Sequence, residues 1–386
     1  MGVRTLGRLA VLCGLVGVAV RVATVAPPDP RSSGAGAEEA LNSAGPWQHA
    51  FDALPADYIW IDRERLQQLP TEGPAWQALR KVASSPVSVP DLADQDDATD
   101  VAILAKALVY AKTSEAHLRQ TVIQACMAAI GSQRGGRALA LAKGLIAYPL
   151  AADLVGLPPD ADRRFRAWLQ RMLSYQYPSG KTLRSTHEHR PNNWGTYAGA
   201  SRLAIAAYLG DRAEFERAAR VFKGWLGDRS AYSAFEYKDG SWQAMPSQPV
   251  GINPAGARRQ GHSIDGVLPD DQRRGGAFQW PPPRVNYVYS ALQGATAQAI
   301  LLQRAGYRVW QWEDAALRRA FEWLHDEADY PAAGDDTWQP HVINYHYGTG
   351  FPAPVPTEPG KNVGWTGWTH GSGPRSTPGP SGPKSD

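Results

Sequence analysis

The chain has 386 residues, of which 43% are hydrophobic and 20% charged, and its formal net charge is only +3. This is the composition of a soluble globular protein, and the near balance of charge gives no reason to expect a nucleic-acid partner. The 14 Trp and 15 Tyr residues offer flat faces that suit sugar rings, although most of them are expected in the core.

The N-terminus has the pattern of an export signal. Arg4 and Arg8 precede the apolar run 9–20, and small residues follow. The run is shorter than the ~20 residues of a membrane-spanning helix. We therefore expect residues 1–26 to be a signal peptide and the protein to be secreted, with no membrane span in its mature form. An uncleaved anchor is the alternative.

Composition divides the rest of the chain into three parts. Residues 27–45, rich in Pro, Ser, Gly and Ala, predict a flexible linker, and residues 371–386 predict a disordered tail. The folded domain is expected over residues 46–370. Without the signal peptide Cys126 is the single cysteine, which excludes an internal disulfide and a cysteine metal cluster.

The folded domain is predicted to be all-α. Apolar residues recur at three-to-four spacing in eight segments, and alternating β-branched runs are nearly absent. The predicted helices are Val101–Lys112, Leu118–Ile130, Ala138–Leu154, Asp162–Tyr175, Thr196–Tyr208, Arg212–Trp225, Tyr287–Arg304 and Glu313–Glu327. Helical hairpins packed side by side could form a bundle, a solenoid or a closed α/α toroid. The long stretches 227–284 and 329–370 are predicted to be non-helical walls of a binding cleft.

The densest polar cluster lies at 187–195 and runs into the helix expected near Thr196. Helix capping would explain one of its two adjacent Asn residues, but not both of them together with two His and an Arg. The candidate site residues in this cluster are His187, Glu188, His189, Arg190, Asn192, Asn193 and Trp194. In an extended loop the two His could share a metal ion, but we favour a site without a metal.

A second cluster runs from Asp265 to the helix that begins near Tyr287. Solvated surface is an equally good interpretation for Asp270 and Asp271. Tyr287 and Tyr289 are two residues apart and cannot share a helix face, so one should pack while the other points into the cleft.

A third cluster, at 341–350 and 359–368, is rich in His and aromatic residues. It predicts a sugar platform, with packing of the loop as the competing account. The chain contains no HExxH, P-loop, Rossmann or GxSxG motif.

Four segments together resemble the alginate lyase family of α/α-toroid polysaccharide lyases, over about residues 47–370. They are LAKGLIAYPLAADLVGL (141–157), RPNNWGTYAGA (190–200), DGVLPDDQRRGG (265–276) with NYVYSALQ (286–293), and GKNVGWTGW (360–368). The resemblance implies an incomplete (α/α)n toroid and a lyase that cleaves a polyuronate, such as alginate or glucuronan, by β-elimination. It implies no cofactor.

Carried over by motif, the resemblance assigns three site residues. Asn193 would bind the substrate carboxylate, Arg274 would be the active-site Arg, and Tyr287 would be the catalytic base and acid. Trp194 stands where the family has a His, so His187 or His189 would have to take that role. This departure points to a neighbouring, glucuronan-cleaving branch.

Further residues are expected to bind the substrate or to assist Tyr287. Arg274 and Arg284 would supply the positive charge that favours a phenolate at Tyr287. The substrate-binding candidates are Asn192, Arg190, Trp194, Tyr197, Arg284, Trp280, His346 and Trp365. The expected partner is an acidic polysaccharide, bound by a monomer.

Two other functions remain open at this point. A glycoside hydrolase on the same architecture would need two carboxyl groups across the scissile bond. Glu188, Asp239, Asp265 and Asp271 are available for that role. A non-catalytic polysaccharide-binding protein would keep the aromatic cleft, and Trp194 favours it.

Overall fold

The computed structural model describes residues 57–355 and 360–371. The predicted signal peptide, the linker and the tail beyond residue 371 lie outside the described residues. The predictions for those segments therefore stay as they are.

Helices dominate the described part of the chain. They are α1 (Arg63–Gln68), α2 (Gly73–Ser84), α3 (Thr99–Thr113), α4 (Ala116–Ala129), α5 (Ala138–Gly144), α6 (Ala147–Val155), α7 (Pro159–Met172), α8 (Leu183–His189), α9 (Asn193–Leu209), α10 (Arg212–Leu226), α11 (Pro269–Gln272), α12 (Asn286–Arg304), α13 (Trp312–Glu322), α14 (Gln339–Tyr347) and α15 (Thr366–Thr369). Short 3₁₀ turns lie at Arg273–Gly275, Val309–Gln311 and Gly334–Asp336, and a π-helical turn at Trp323–Glu327. The two-residue strands β1 (Arg258–Arg259) and β2 (His262–Ser263) pair antiparallel. The all-α prediction is confirmed.

The sequence pattern separates inner from outer helices. In α7 the buried residues Phe165, Trp168, Leu169 and Met172 form one stripe, as in a helix with one face to solvent. In α9, by contrast, buried residues occur all round the helix. Helices α3, α6, α9 and α12 form the inner wall, and α2, α4, α7 and α10 pack outside it.

The inner helices α9 and α12 are parallel and very close. Gln293 accepts a hydrogen bond from the Tyr197 hydroxyl at 3.1 Å, and one turn further on Gln298 donates to the Thr196 carbonyl at 3.0 Å. Between these contacts Gly294 lies directly against the α9 backbone, where a Cβ would come within 2.4 Å of the Thr196 carbonyl carbon. The N-terminal ends of both helices therefore open on the same end of the domain.

The C-terminal segment closes the ring of helices. The Trp365 indole N–H donates to the Val101 carbonyl at 2.8 Å, and the Trp368 indole N–H donates to the Pro70 carbonyl at 2.8 Å. Helix α14 packs on α12, α15 packs on α14, and α15 reaches α2. The helices thus form an α/α toroid, the class of fold that the resemblance implied.

The stretches 227–284 and 329–370, predicted to be non-helical, contain the helices α11, α14 and α15, and two other details also differ from the sequence predictions. Residues 183–189 and 339–347 are helical because buried neighbours hold them, although their local pattern did not predict it. The segment predicted as one helix at 138–154 is divided into α5 and α6.

The window Ala138–Val155 has a mean hydropathy of 1.5, and 83% of it is buried within the protein, as in a core segment.

Candidate active site

The first part of the site is the N-terminus of α9. Asn192 caps this helix by accepting a hydrogen bond from the Trp194 backbone N–H at 3.2 Å. Gly195 allows the tight turn, because a Cβ there would lie 1.8 Å from the Arg190 carbonyl oxygen. Asn193 is therefore held in the first helical turn. Partial positive charge at a helix N-terminus favours an anion there.

The short helix α11 lies against this turn. Pro269 begins α11, and Arg273 binds Asp270 through two hydrogen bonds of 2.8 and 3.2 Å. The Asn193 backbone N–H donates to Asp271 Oδ1 at 3.1 Å. Asp270 and Asp271 are both buried, which corrects the alternative that they are solvated surface.

The third part of the site is an Arg–Tyr pair. The 3₁₀ turn after α11 places the Arg274 guanidinium over the ring of Tyr287, with its central carbon 3.9 Å from the ring centroid. Tyr287 lies in the first turn of α12 and is half-buried, whereas Arg274 is exposed. Tyr289 packs inward and donates its hydroxyl hydrogen to the Tyr330 carbonyl at 2.7 Å.

The structure thus brings the three residues assigned by resemblance to one region. Asn193 contacts Asp271 on α11, Arg274 follows on the next turn, and Arg274 covers Tyr287. Hydrogen-bond donors, a cation and a phenol stand together at the N-terminal ends of α9 and α12. Such a set can bind a carboxylate and move a proton beside it.

The two candidate His residues do not join this group in the same way. His187 is buried, and its Nδ1 lies 3.4 Å from Arg202 Nη1. Burial and then the Arg202 charge hold the pKa of His187 well below its usual value. His187 therefore cannot reach a substrate from the protein interior. His189 is exposed, with its Nδ1 3.9 Å from Glu236.

The candidates at the edge of the site remain partly accessible. The Arg190 guanidinium lies 5.5 Å from the Trp194 ring centroid. The Trp280 ring stacks on His262 at 4.3 Å. Arg284 donates to Asp329 at 2.7 Å, so that this carboxylate, not Tyr287, is its partner.

Three substrate-binding candidates have their rings engaged in packing: Tyr197 and Trp365 are buried, and His346 is half-buried. Tyr197 is 2% exposed and binds Gln293. The His346 ring stacks on Trp310 at 4.0 Å, and burial with the nearby Arg65 charge lowers its pKa to about 3. The Trp365 indole N–H donates to the Val101 carbonyl, as described for the C-terminal segment. Tyr197 and Trp365 are therefore closed off from a bound sugar, and the His346 ring is stacked on Trp310.

A polar group that the sequence did not single out lies behind Tyr197. Gln293 donates to Asp336 at 2.7 Å, and burial raises the Asp336 pKa to about 7. The Lys143 ammonium lies 5.9 Å from the Tyr197 ring centroid. Burial and the neighbouring Lys361 lower the Lys143 pKa to about 8. In the sequence, the single Lys within the apolar segment LAKGLIAYPL could have indicated this polar group.

The four acids considered for hydrolysis all have partners within the protein. Glu188 pairs with Arg202 at 2.9 Å, and Asp265 pairs with Arg319. Asp239 accepts a hydrogen bond from the Ser241 backbone N–H at 2.8 Å. Asp271 accepts the Asn193 backbone N–H, so each of the four carboxyl groups already has a partner within the protein.

A helical toroid with an Asn and a Tyr on inner helices and an Arg on the turn after α11 suits the predicted class, a polysaccharide lyase. Residues 95–230 match the family model described as alginate lyase, which confirms the predicted resemblance and with it the class. The matched stretch includes α3 to α10 and Asn193, and it ends before Arg274 and Tyr287.

One solved structure is similar over much of the chain. It is an alginate lyase in a histidine-to-alanine variant complexed with a tetrasaccharide, with a TM-score of 0.49 and 12% identity. The similarity covers 82% of this chain and 94% of that chain. No curated protein sequence matches the chain significantly.

Proposed function

We propose that this lyase cleaves a 1,4-linked polyuronate, glucuronan or polymannuronate-type alginate, by β-elimination and leaves 4,5-unsaturated uronate ends. The observation that carries the proposal is the Arg274 guanidinium 3.9 Å above the Tyr287 ring, one turn of chain from the Asp271 that holds Asn193. The expectations of secretion and of a monomer belong to the proposal.

The first chemical problem is the acidity of the C5 proton. While the uronate carboxylate is charged, removal of this proton adds a second negative charge beside it. Asn193 has an amide Nδ2 that can donate to the carboxylate, and the N-terminus of α9 adds partial positive charge. Arg274 adds a full positive charge. Because these groups are already in place, they stabilise the charge that develops during proton removal.

Tyr287 then acts as base and acid. Its Oη, as the phenolate, takes the C5 proton. The C5–H electron pair forms the C4=C5 double bond while the C4–O bond breaks. The phenol formed in this step returns its proton to the departing O4. The Arg274 guanidinium over the ring places a positive charge beside the phenol during this proton transfer.

The substrate choice rests on Trp194. The family's His is absent at this position, His187 is buried and His189 lies beside Glu236, so we assign both proton transfers to Tyr287. One group acting twice requires the C5 proton and O4 on the same side of the sugar. That relation holds for mannuronate and glucuronate and fails for guluronate, which favours glucuronan and polymannuronate.

The test is an assay of unsaturated product with four polymers. The purified protein is incubated with glucuronan, polymannuronate, polyguluronate or a neutral β-glucan, and ultraviolet absorbance is followed. We expect a rise with glucuronan or polymannuronate only. New reducing ends without absorbance would identify a hydrolase, and binding without either product would identify a binding protein.

The matched variants are Tyr287→Phe and Tyr289→Phe. Tyr287→Phe removes the proton-transfer group, and turnover should fall ~100-fold or more while polymer binding remains. Tyr289→Phe removes a hydroxyl that bonds only inside the protein, and turnover should remain near wild type. Near-wild-type activity of Tyr287→Phe would contradict the assignment of Tyr287.

A further inference from the structure

Asp271 is a buried carboxyl group in direct contact with the site, and the mechanism above gives it no role. Its side chain is 1% exposed, and Oδ1 accepts the Asn193 backbone N–H at 3.1 Å. Its second oxygen, Oδ2, is shut off from solvent and has no hydrogen-bond partner. A buried oxygen left in this state costs about 1–3 kcal/mol, so the site should supply a partner.

The Asn193 side chain has the complementary feature. Its Oδ1 is also buried without a partner. Its Nδ2 is not one of the buried polar atoms without a partner in the described residues, and none of the described residues accepts a hydrogen bond from it. Two acceptor oxygens, on residues already joined by a hydrogen bond, thus lack one donor. A single hydrogen on Asp271 Oδ2 would satisfy both.

We propose that Asp271 is a positioning residue whose Oδ2–H donates to Asn193 Oδ1 and so turns the Asn193 Nδ2 towards the substrate carboxylate. The proposal rests on the proposed function, in which that amide binds the uronate. Asp271 itself touches no reacting atom.

The surroundings favour the neutral carboxyl group. Burial and the adjacent Asp270 raise the Asp271 pKa well above its usual value, against the lowering effects of the Asn193 N–H and the charges of Arg274 and Arg273. From α9, the buried Tyr197 hydroxyl is the further titratable group that interacts with it. Asp270 differs from Asp271 because it is bound by Arg273 on two oxygens. Adjacent carboxyl groups can hold different protonation states when their environments differ in this way.

Ionisation of Asp271 would reverse the Asn193 amide. A carboxylate can only accept hydrogen bonds, so it would draw the Asn193 Nδ2 inward. The carbonyl oxygen would then face the cleft and oppose the substrate carboxylate. Turnover should therefore be present at low pH and fall as the pH rises through the Asp271 pKa, in addition to any effect of Tyr287.

Asp271→Asn and Asp271→Leu test this arrangement. The Asn variant keeps the acceptor for the Asn193 N–H and places a permanent N–H donor where Oδ2–H stood. The Leu variant keeps the approximate size and removes both interactions. We expect kcat/KM to fall about tenfold or more in Asp271→Leu, which corresponds to the loss of one hydrogen bond to a charged-substrate site. Asp271→Asn should restore most of that loss and abolish the Asp271-dependent fall at high pH.

Two results would overturn the proposal. One is an Asp271→Asn variant, folded by circular dichroism, that is as inactive as Asp271→Leu. The other is an unchanged alkaline limb of the pH profile in Asp271→Asn. If Asp271→Leu fails to fold, wild type and Asp271→Asn alone give the comparison of pH profiles.

A measurement without substrate separates this proposal from the proposed function. Infrared difference spectra between wild type and Asp271→Asn should show a protonated carboxyl band at neutral pH. Its presence supports the hydrogen bond even if no polyuronate is cleaved, a result that would overturn only the proposed function. Its absence overturns the role of Asp271 even in an active lyase.

Discussion

Gly294 controls the distance between the two helices that carry the site. A Cβ at this position would lie 2.4 Å from the Thr196 carbonyl carbon and 2.5 Å from the Tyr197 nitrogen. Ordinary contact begins at 3.4 Å, and backbone atoms cannot rotate away as a flexible side chain can. Gly294→Ala should therefore separate α9 and α12 by about 1 Å at this point.

The effect on stability has two opposing parts. Ala in place of Gly favours the helix by about 1 kcal/mol. Overpacking a tight contact costs about 1–3 kcal/mol, and backbone contacts on both sides favour the upper part of that range. We expect a net loss of about 1–2 kcal/mol in the free energy of unfolding, measured by urea denaturation.

The effect on catalysis should be larger than the effect on stability. Tyr287 lies two turns before Gly294 on α12, and Asn193 lies one turn before the contact on α9. A displacement of about 1 Å between reacting groups can cost about 100-fold in rate. Turnover by Gly294→Ala, measured as unsaturated product from the preferred polyuronate, should fall between tenfold and 100-fold.

Gly350→Ala is the control for Gly294→Ala. Gly350 has no atom within 4 Å of an added Cβ, so its substitution should leave stability and turnover near wild type. If Gly294→Ala were as stable and as active as wild type, the close parallel packing of α9 and α12 would not position the site.

Two predictions concern buried charges. The Arg202 side chain is 0% exposed and binds Glu188 at 2.9 Å and Glu214 at 2.6 Å. Arg202→Met should therefore lower the free energy of unfolding, measured by urea denaturation, by about 3–5 kcal/mol. Arg163→Met, which removes an exposed ion pair, should lower it by less than about 1 kcal/mol. Equal losses would contradict the buried network. Burial raises the Asp100 pKa to about 8 in the folded protein, so the folded state binds more protons than the unfolded state between about pH 4 and 8. Stability should fall as the pH rises through that window, and this dependence should be weaker in Asp100→Asn; equal slopes would refute it.

Local pattern in the sequence predicted most of the helices. The three-to-four spacing of apolar residues placed α3, α4, α9, α10 and α12 within a few residues of their observed ends. Asn192 caps α9 as the sequence allowed. These features depend on neighbours a few residues apart, so the chain specifies them before any long-range contact forms.

The site could be predicted only in part. The sequence motifs indicated Asn193, Arg274 and Tyr287, and the folded chain places them at adjacent helix ends. Their catalytic roles stay a prediction. The clustering of His and aromatic residues in the sequence also pointed to His187 and Trp365, which are buried in the folded protein.

Long-range packing decided the rest, because burial is a property of the assembled helices. His187 is buried because Arg202, on a different helix, stands against it. Trp365 is buried because its indole meets Val101, 264 positions away in the chain. Asp271, which could have been surface by its local sequence, accepts its hydrogen bond from Asn193 across 78 positions. Local sequence sets helix and turn, whereas solvent exclusion and the partner of each polar group follow from which helices pack together.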